Sequence, residues 1–202
     1  MTQSPINEAI NHLQSSYIEY MNSLQTVLDF GEANIEHLVE ALNHKHANPI
    51  AKALGLMMDT PSAWKAIPGL LRWLVTQSPL YPDVLEALVR AGDKPAKEVL
   101  CLIKEYAEKG DDEAVRHFFD LACRFSNRVQ PQVVDVALEL LGHPSPHIRE
   151  TAADAIWRIG LPNGLPGKPV LQWLSRNDQY VNVRKAACEA LEKLGVCLQP
   201  VD

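Results

Sequence analysis

Apolar residues recur at helical spacing along almost the whole chain. They return every three or four residues, which is the period of an amphipathic helix, and no segment shows the strict alternation of a strand. Short polar turns separate the apolar segments, and most prolines fall in those turns or in first helical turns, where a helix accepts them. The pattern predicts roughly eleven helices and an all-α fold.

Between residues 34 and 196 the predicted helices fall into five consecutive pairs, each joined by a short turn. The first apolar positions of the paired helices are Ile35 and Ile50, Ile67 and Val84, Val99 and Val115, Val133 and Ile148, and Val170 and Val183. Pro68 is expected about one turn inside its helix, which it would bend.

Residues 1–30 form one further predicted helix that starts at Ser4-Pro5. Its single apolar stripe consists of Ile6, Ile10, Leu13, Tyr17, Tyr20 and Leu24. Such a stripe has to be covered, either by the first hairpin or by the same helix of a second chain. Because terminal repeats of stacked arrays are atypical, a capping helix is favoured over a homodimer seam.

The last two hairpins are versions of one sequence, 35 residues apart. Residues 148–156 align with residues 183–191, which places apolar residues on apolar ones, Arg149 on Arg184 and the acidic Asp154 on Glu189. The match continues through Gly160 and Gly195. A repeat of this length is typical of a stacked array, so we expect one continuous domain over residues 1–202, with repeats over residues 34–196.

The repeated motif resembles a HEAT repeat. Leu140-Leu141 ends a first helix, a turn with two prolines follows, and the pair Ile148-Arg149 opens an alanine-rich second helix. Residues 67–74 resemble the first-helix half, with Pro68 included. The resemblance implies a right-handed α-solenoid of about five HEAT-like hairpins, in which the second helices line a concave surface that usually holds another protein.

The resemblance also assigns a role to the arginine of the motif. In HEAT repeats this residue ties neighbouring repeats together through acidic partners. For Arg149 and Arg184 we expect the same structural role, with Asp154 or Glu189 as the partner across repeats.

The net charge differs between the N-terminal and the C-terminal part of the chain. The net charge of the 202 residues is −6. Residues 1–140 hold 12 Lys and Arg against 19 Asp and Glu, which gives −7, and residues 141–202 hold 7 against 6, which gives +1. An acidic surface repels nucleic acid and anionic membranes, whose binding requires cations.

No basic segment followed by an apolar run opens the sequence, and no window approaches the length of a membrane span. The four cysteines have no metal-ligand spacing. These features predict a cytoplasmic, bacterial-type protein with reduced thiols, no membrane segment and no metal or cofactor.

At 100° per residue, the side chains of the second helices that point away from the core can be enumerated. The predicted concave groove is lined by Lys52, Asp83, Glu86, Arg90, Arg116, Asp120, Glu150, Asp154, Trp157, Lys185, Glu189 and Glu192. Seven of these residues are acidic and four are basic. The sequence therefore predicts an acidic groove.

Tryptophan residues divide into two groups. Trp157 lies opposite Ile148 on its helix, so it either anchors a partner or packs over the next second helix near Glu192. Trp73 and Trp173 precede core leucines and are expected to pack.

No catalytic motif is visible. Asp111, Asp112 and Glu113 open a helix, where acids cap free N–H groups and complement the helix dipole. Histidines at positions 44, 46, 143 and 147 are expected to be solvated turn residues.

These observations favour a non-catalytic module that holds a basic partner protein in an acidic groove. An inhibitor or immunity-type protein for a cationic toxin or nuclease is a sharper form of the same hypothesis. Two alternatives stay open: a HEAT-like glycosylase for alkylated bases, which would use Asp154 and Trp157, and a bilin lyase-type maturation factor, which would use Cys123 or Cys188.

Overall fold

A computed structural model describes residues 22, 25–26, 34–42, 48–58, 60–75, 82–161 and 167–196. The apolar stripe predicted for residues 6–24, as a cap or as a dimer seam, lies outside these residues. Within them the regular structure is helical throughout, without a strand, so the prediction of an all-α chain is confirmed.

Ten α-helices and one 3₁₀ helix make up the described part of the chain. The α-helices are α1 Ile35–Ala41, α2 Asn48–Leu56, α3 Ile67–Val75, α4 Pro82–Arg90, α5 Ala96–Lys109, α6 Asp112–Ala122, α7 Gln130–Leu140, α8 Pro146–Ile159, α9 Gly167–Asn177 and α10 Val181–Lys193. The five predicted hairpins correspond to consecutive pairs of these helices.

Two compact units, residues 1–95 and residues 96–202, divide the chain between Pro95 and Ala96. A single domain over residues 1–202 stays a prediction. In the first unit, α1 packs against α2, and α2 packs against α4. Leu54 and Leu88, from these two second helices, are fully buried.

The region around Pro68 differs from the predicted bent helix. A 3₁₀ helix, Pro61–Ala66, precedes α3, which begins at Ile67. Pro68 is therefore in the first turn of an α-helix, where its missing N–H removes no helical hydrogen bond. The chain accommodates the proline by a change of helix type one residue earlier.

Three hairpins form the second unit: α5 with α6, α7 with α8, and α9 with α10. The second helices α6, α8 and α10 pack side by side, with α8 in the middle. Fully buried alanines on α8 and α10, such as Ala152, Ala153 and Ala187, let these helices approach closely. This stack is the α-solenoid arrangement that the repeat predicts.

A buried ion pair joins the last two hairpins. Arg149 of α8 donates from Nε and Nη2 to the two carboxylate oxygens of Asp178, at 2.8 and 3.0 Å. The arginine is 9% exposed and the aspartate 6%. The predicted partners Asp154 and Glu189 were wrong, because the carboxylate comes from the turn before α10 and not from a helix face.

The two turns that precede α8 and α10 are built alike. Nη1 of Arg149 donates to the carbonyl of His143, and Nη1 of Arg184 donates to the carbonyl of Asp178, both at 2.7 Å. His143 Nδ1 accepts from the Ser145 N–H, as Asp178 Oδ1 accepts from the Tyr180 N–H. His143 and Asp178 therefore hold equivalent positions.

His143 is not the solvated turn residue that the sequence predicts. Because its Nδ1 accepts a hydrogen bond, its Nε2 carries the proton and donates to the carbonyl of Ala107, at 3.1 Å. Ala107 belongs to α5, so the imidazole links the turn before α8 to the preceding hairpin. His147, by contrast, is exposed.

A lower pH should destabilise the second unit, because it protonates the carboxylate of Asp178. Burial alone would raise the pKa of this carboxyl, but hydrogen bonds from Arg149 and from the Tyr180 N–H outweigh burial and lower it. A lowered pKa stabilises the fold fully above the unfolded value of about 3.9, and the contribution is lost as the pH falls below it. In urea denaturation between pH 3 and pH 7, we expect a flatter pH dependence for Asp178→Asn than for the wild type. Parallel curves for the two proteins would contradict the assignment.

The tryptophan predictions have mixed outcomes. Trp73 is 5% exposed, as expected of a packing residue. Trp173 is 59% exposed, so its predicted packing role was wrong. The reason is that α9 buries only a narrow strip, which includes Leu171 and Leu174, against the rest of its unit, and Trp173 lies outside that strip.

Candidate functional site

A cleft of about 440 Å³ runs between the second helices α6 and α8. We call it the acidic cleft. Its lining residues are Asp112, Glu113, Arg116, Phe119, Asp120, Cys123, His147, Glu150, Thr151, Asp154, Ala155 and Arg158. Five carboxylates and two guanidinium groups face this space, so the lining carries an excess of three negative charges when the imidazole is neutral.

The start of α6 places the first carboxylates of the acidic cleft. Asp111 caps α6, and its carboxylate accepts the N–H of Ala114 at 3.0 Å, as the cluster of three acids predicts. Asp112 accepts the hydroxyl of Ser145 at 2.8 Å. This bond ties the N-terminus of α6 to the N-cap residue of α8 and fixes one end of the cleft.

One arginine holds the middle of the acidic cleft together. Nη1 of Arg158 lies 2.6 Å from a carboxylate oxygen of Asp120 on α6, and its Nε lies 2.8 Å from Asp154 on α8. Burial alone would lower the pKa of the guanidinium, but the two carboxylates outweigh this and raise it. Arg158 therefore forms ion pairs with two of the five carboxylates and links the two walls.

Two glutamates are more weakly paired. Glu113 lies 3.9 Å from the imidazole of His117, and Glu150 lies 3.9 Å from that of His147. Burial lowers the pKa of His117, and the charge of Arg116 lowers it further, which disfavours the charged imidazolium beside Glu113. Glu113 and Glu150 are thus the carboxylates that an incoming cation can pair with most readily.

Trp157 lies on α8 next to Arg158, on the side of the helix that faces α10. It is 42% exposed. The ammonium of Lys193 on α10 lies 5.2 Å from its ring centroid and 2.7 Å from the carbonyl of Arg158. The two interpretations of Trp157 therefore combine: the indole contacts the next second helix through Lys193, and 42% of the residue remains exposed.

The structure brings together four residues of the predicted groove in the acidic cleft, namely Arg116, Asp120, Glu150 and Asp154. Trp157 borders this set. Lys185, Glu189 and Glu192 are exposed on α10, with Lys185 and Glu189 3.8 Å apart, and do not line the cleft.

The other four residues of the predicted groove belong to the first unit. Glu86 and Arg90 are exposed on α4. Lys52 lies on α2 and Asp83 on α4, but their side chains are outside the described part of the structure. All four stay predictions as groove residues.

Sequence reasoning missed Arg158, the central residue of the acidic cleft. Its position on α8, one turn after Asp154, placed it at the margin of the outward face. The spacing Asp154 to Arg158 is a helical i,i+4 ion pair, and that signal could have identified it.

The thiols near the second helices are not activated. Burial raises the pKa of the Cys123 thiol to about 11. Burial also raises the pKa of Cys188, and Glu192 and Glu189 add to the effect. A nucleophilic cysteine needs a lowered pKa, so neither environment favours the lyase-type alternative. The glycosylase alternative is weakened as well, because Arg158 already binds Asp154.

Across the described residues, no group of three or more His, Cys, Asp or Glu side chains is arranged to hold a metal ion. None of the helices in that part of the chain is both long and apolar enough to cross a membrane.

The family model of HEAT repeats matches residues 102–192, a range that extends from α5 into α10 and contains the acidic cleft. No curated protein and no solved structure matches the chain.

Proposed function

We propose that this chain holds a basic segment of another protein in the acidic cleft. Residues 102–192 match the family model of HEAT repeats, and such repeats are generally protein-interaction scaffolds. The observation that carries the proposal is the charge of the cleft. Five carboxylates meet two guanidinium groups in about 440 Å³ between α6 and α8. Such a surface attracts cations and repels phosphates.

Within the acidic cleft, recognition falls mainly to Glu113 and Glu150. Asp120 and Asp154 are already engaged by Arg158, and Asp112 accepts from Ser145. The ion-pair contacts of Glu113 and Glu150 are to imidazoles, at 3.9 Å. A Lys or Arg side chain of a partner gains most from these two carboxylates, since little has to be displaced.

Trp157 supplies the apolar part of the interface. Lys193 lies over the ring, and 42% of the residue remains exposed. Tryptophan is enriched among the residues that dominate interface energies, because it covers a large area with few rotatable bonds. In this proposal the carboxylates speed the encounter and the indole slows dissociation.

The role of an inhibitor or immunity-type protein is the sharper form of this proposal. A cationic toxin or nuclease would present the basic surface that the acidic cleft fits. The support for this form is the charge and the modest size of the chain.

The test uses three labelled peptides of equal length, rich in arginine, in lysine or in glutamate, and measures binding by fluorescence anisotropy at increasing salt. We expect the two basic peptides to bind and the acidic one not to, with affinity that falls as salt screens the charges. Glu113→Gln with Glu150→Gln should weaken binding about tenfold, since two exposed charge pairs are lost.

A matched control removes the same charge elsewhere in the second unit. Glu108 and Asp135 are exposed on α5 and α7 and do not line the acidic cleft. The double variant Glu108→Gln with Asp135→Asn should bind the basic peptides as the wild type does. Equal losses in the two double variants, or preference for the acidic peptide, would refute the proposal.

A further inference from the structure

The second helix of the last hairpin carries a stripe of residues that is symmetric along its length. Val181, Arg184, Cys188, Glu192 and Gly195 are spaced three, four, four and three residues apart. The first four belong to α10 and, at 100° per residue, fall within about 80° of one another around the helix axis, and Gly195 lies two residues past the end of the helix. We call them the terminal stripe, and Cys188 is at its centre.

The equivalent side of α8 is covered. Arg149 and Ala153, 35 residues before Arg184 and Cys188, are 9% and 0% exposed, because α10 packs against α8. In α10 the same positions are half-buried, and Val181 at the start of the stripe is 65% exposed. Among the described residues, α8 and α9 are the helices that pack closely against α10, and Ser175 of α9 hydrogen-bonds the Cys188 side chain.

Arg184 is oriented as Arg149 is. Its Nη1 binds the carbonyl of Asp178, as Nη1 of Arg149 binds the carbonyl of His143. Nε and Nη2 of Arg149 then bind a carboxylate of the following hairpin. Within the described ranges, no carboxylate lies at ion-pair distance from Arg184. Nε and Nη2 of Arg184 can therefore donate to a carboxylate of another chain.

We propose that the terminal stripe binds the terminal stripe of a second copy of this chain, as an antiparallel helix pair about a two-fold axis. Residues related by such an axis through Cys188 have numbers that are equally far from 188. Arg184 then meets Glu192 of the second copy, and Glu192 meets its Arg184. Val181 packs over Gly195, which has no side chain to obstruct it.

Charge complementarity supports a second copy as the occupant. The stripe contains one cation and one anion at equal distances from its centre, so an antiparallel pair places opposite charges together twice. The packing continues the side-by-side stack of α6, α8 and α10 by one more second helix. The acidic cleft is on the opposite side of α8 and stays open in each copy.

A single helix pair is a small interface, below the ~1,200 Å² of the smallest stable class, so the dimer should form in a concentration-dependent way. Sedimentation velocity over a range of concentrations of the full chain measures it. We expect Arg184→Glu and Glu192→Arg each to weaken self-association at least about tenfold, since each places like charges together twice. The double variant Arg184→Glu with Glu192→Arg should restore it.

Lys97→Glu provides the control, because it makes the same charge change at an exposed position of α5. It should leave self-association unchanged. A monomer at all concentrations, insensitivity to Arg184→Glu, or failure of the double variant to restore the dimer would each overturn the proposal.

Cross-linking tests the geometry independently. The two Cys188 thiols should face each other across the axis, so a short bismaleimide should join two chains through Cys188. Mass spectrometry of the cross-linked peptides identifies the linked residues, and Cys101, exposed on α5, serves as the internal control. Cross-links between Cys101 residues would exclude this antiparallel pairing.

Discussion

Asp178→Ala should destabilise the second unit by about 3–5 kcal/mol, because it leaves the guanidinium of Arg149 buried without its carboxylate. Urea denaturation followed by circular dichroism measures the change. The arginine would keep its bonds to the carbonyls of His143 and Pro144, at 2.7 and 2.9 Å. These carbonyls are neutral and do not replace the negative charge of the Asp178 carboxylate, so the loss of stability should stay large.

Two further variants separate this effect from simple loss of a side chain. Glu139→Ala removes the carboxylate of an exposed ion pair with Lys104, at 2.6 Å, and should change the stability by no more than about 1 kcal/mol. Replacing Arg149 and Asp178 together by Met and Leu should recover much of the stability lost in Asp178→Ala, since no charge then remains buried. A loss in Asp178→Ala as small as that in Glu139→Ala would show that the pair is not buried in solution.

The sequence predicts the order of the helices well because periodicity is a local property. The apolar spacing locates five hairpins, and the 35-residue repeat relates the second helices that pack together. The partner of Arg149 could not be found in this way. The alignment compares equivalent positions, and Asp178 is equivalent to His143, which has a different side chain in the same turn geometry.

The candidate site was predictable in part for the same reason. The outward direction of a helix face follows from 100° per residue, and it groups Glu150 and Asp154 on α8 with Arg116 and Asp120 on α6, four residues that line one cleft in the structure. Helical angles alone do not show which neighbouring helix is approached by a residue at the edge of the outward face. Arg158 therefore required the structure, since its contact with Asp120 joins residues 38 positions apart.

The exposure of Trp173 in the last hairpin shows a second limit of prediction from sequence. Trp173 precedes Leu174, which is buried, and its position in the pattern is that of a packing residue. Whether such a residue is covered depends on how many helices surround α9. A helix at the end of the described array has fewer neighbouring helices. Some of the apolar residues on its surface therefore stay exposed.

Ile148→Ala should destabilise the second unit by about 2–5 kcal/mol, because Ile148 is fully buried on α8, the second helix that packs against both α6 and α10. Removing its side-chain carbons leaves a cavity that these close-packed neighbours fill only in part. Val181→Ala is the matched control, since it also shortens an aliphatic side chain, but at a position that is 65% exposed. At protein concentrations too low for self-association, it should change the stability by less than about 0.5 kcal/mol. Equal losses in the two variants would show that α8 does not pack at the centre of the stack.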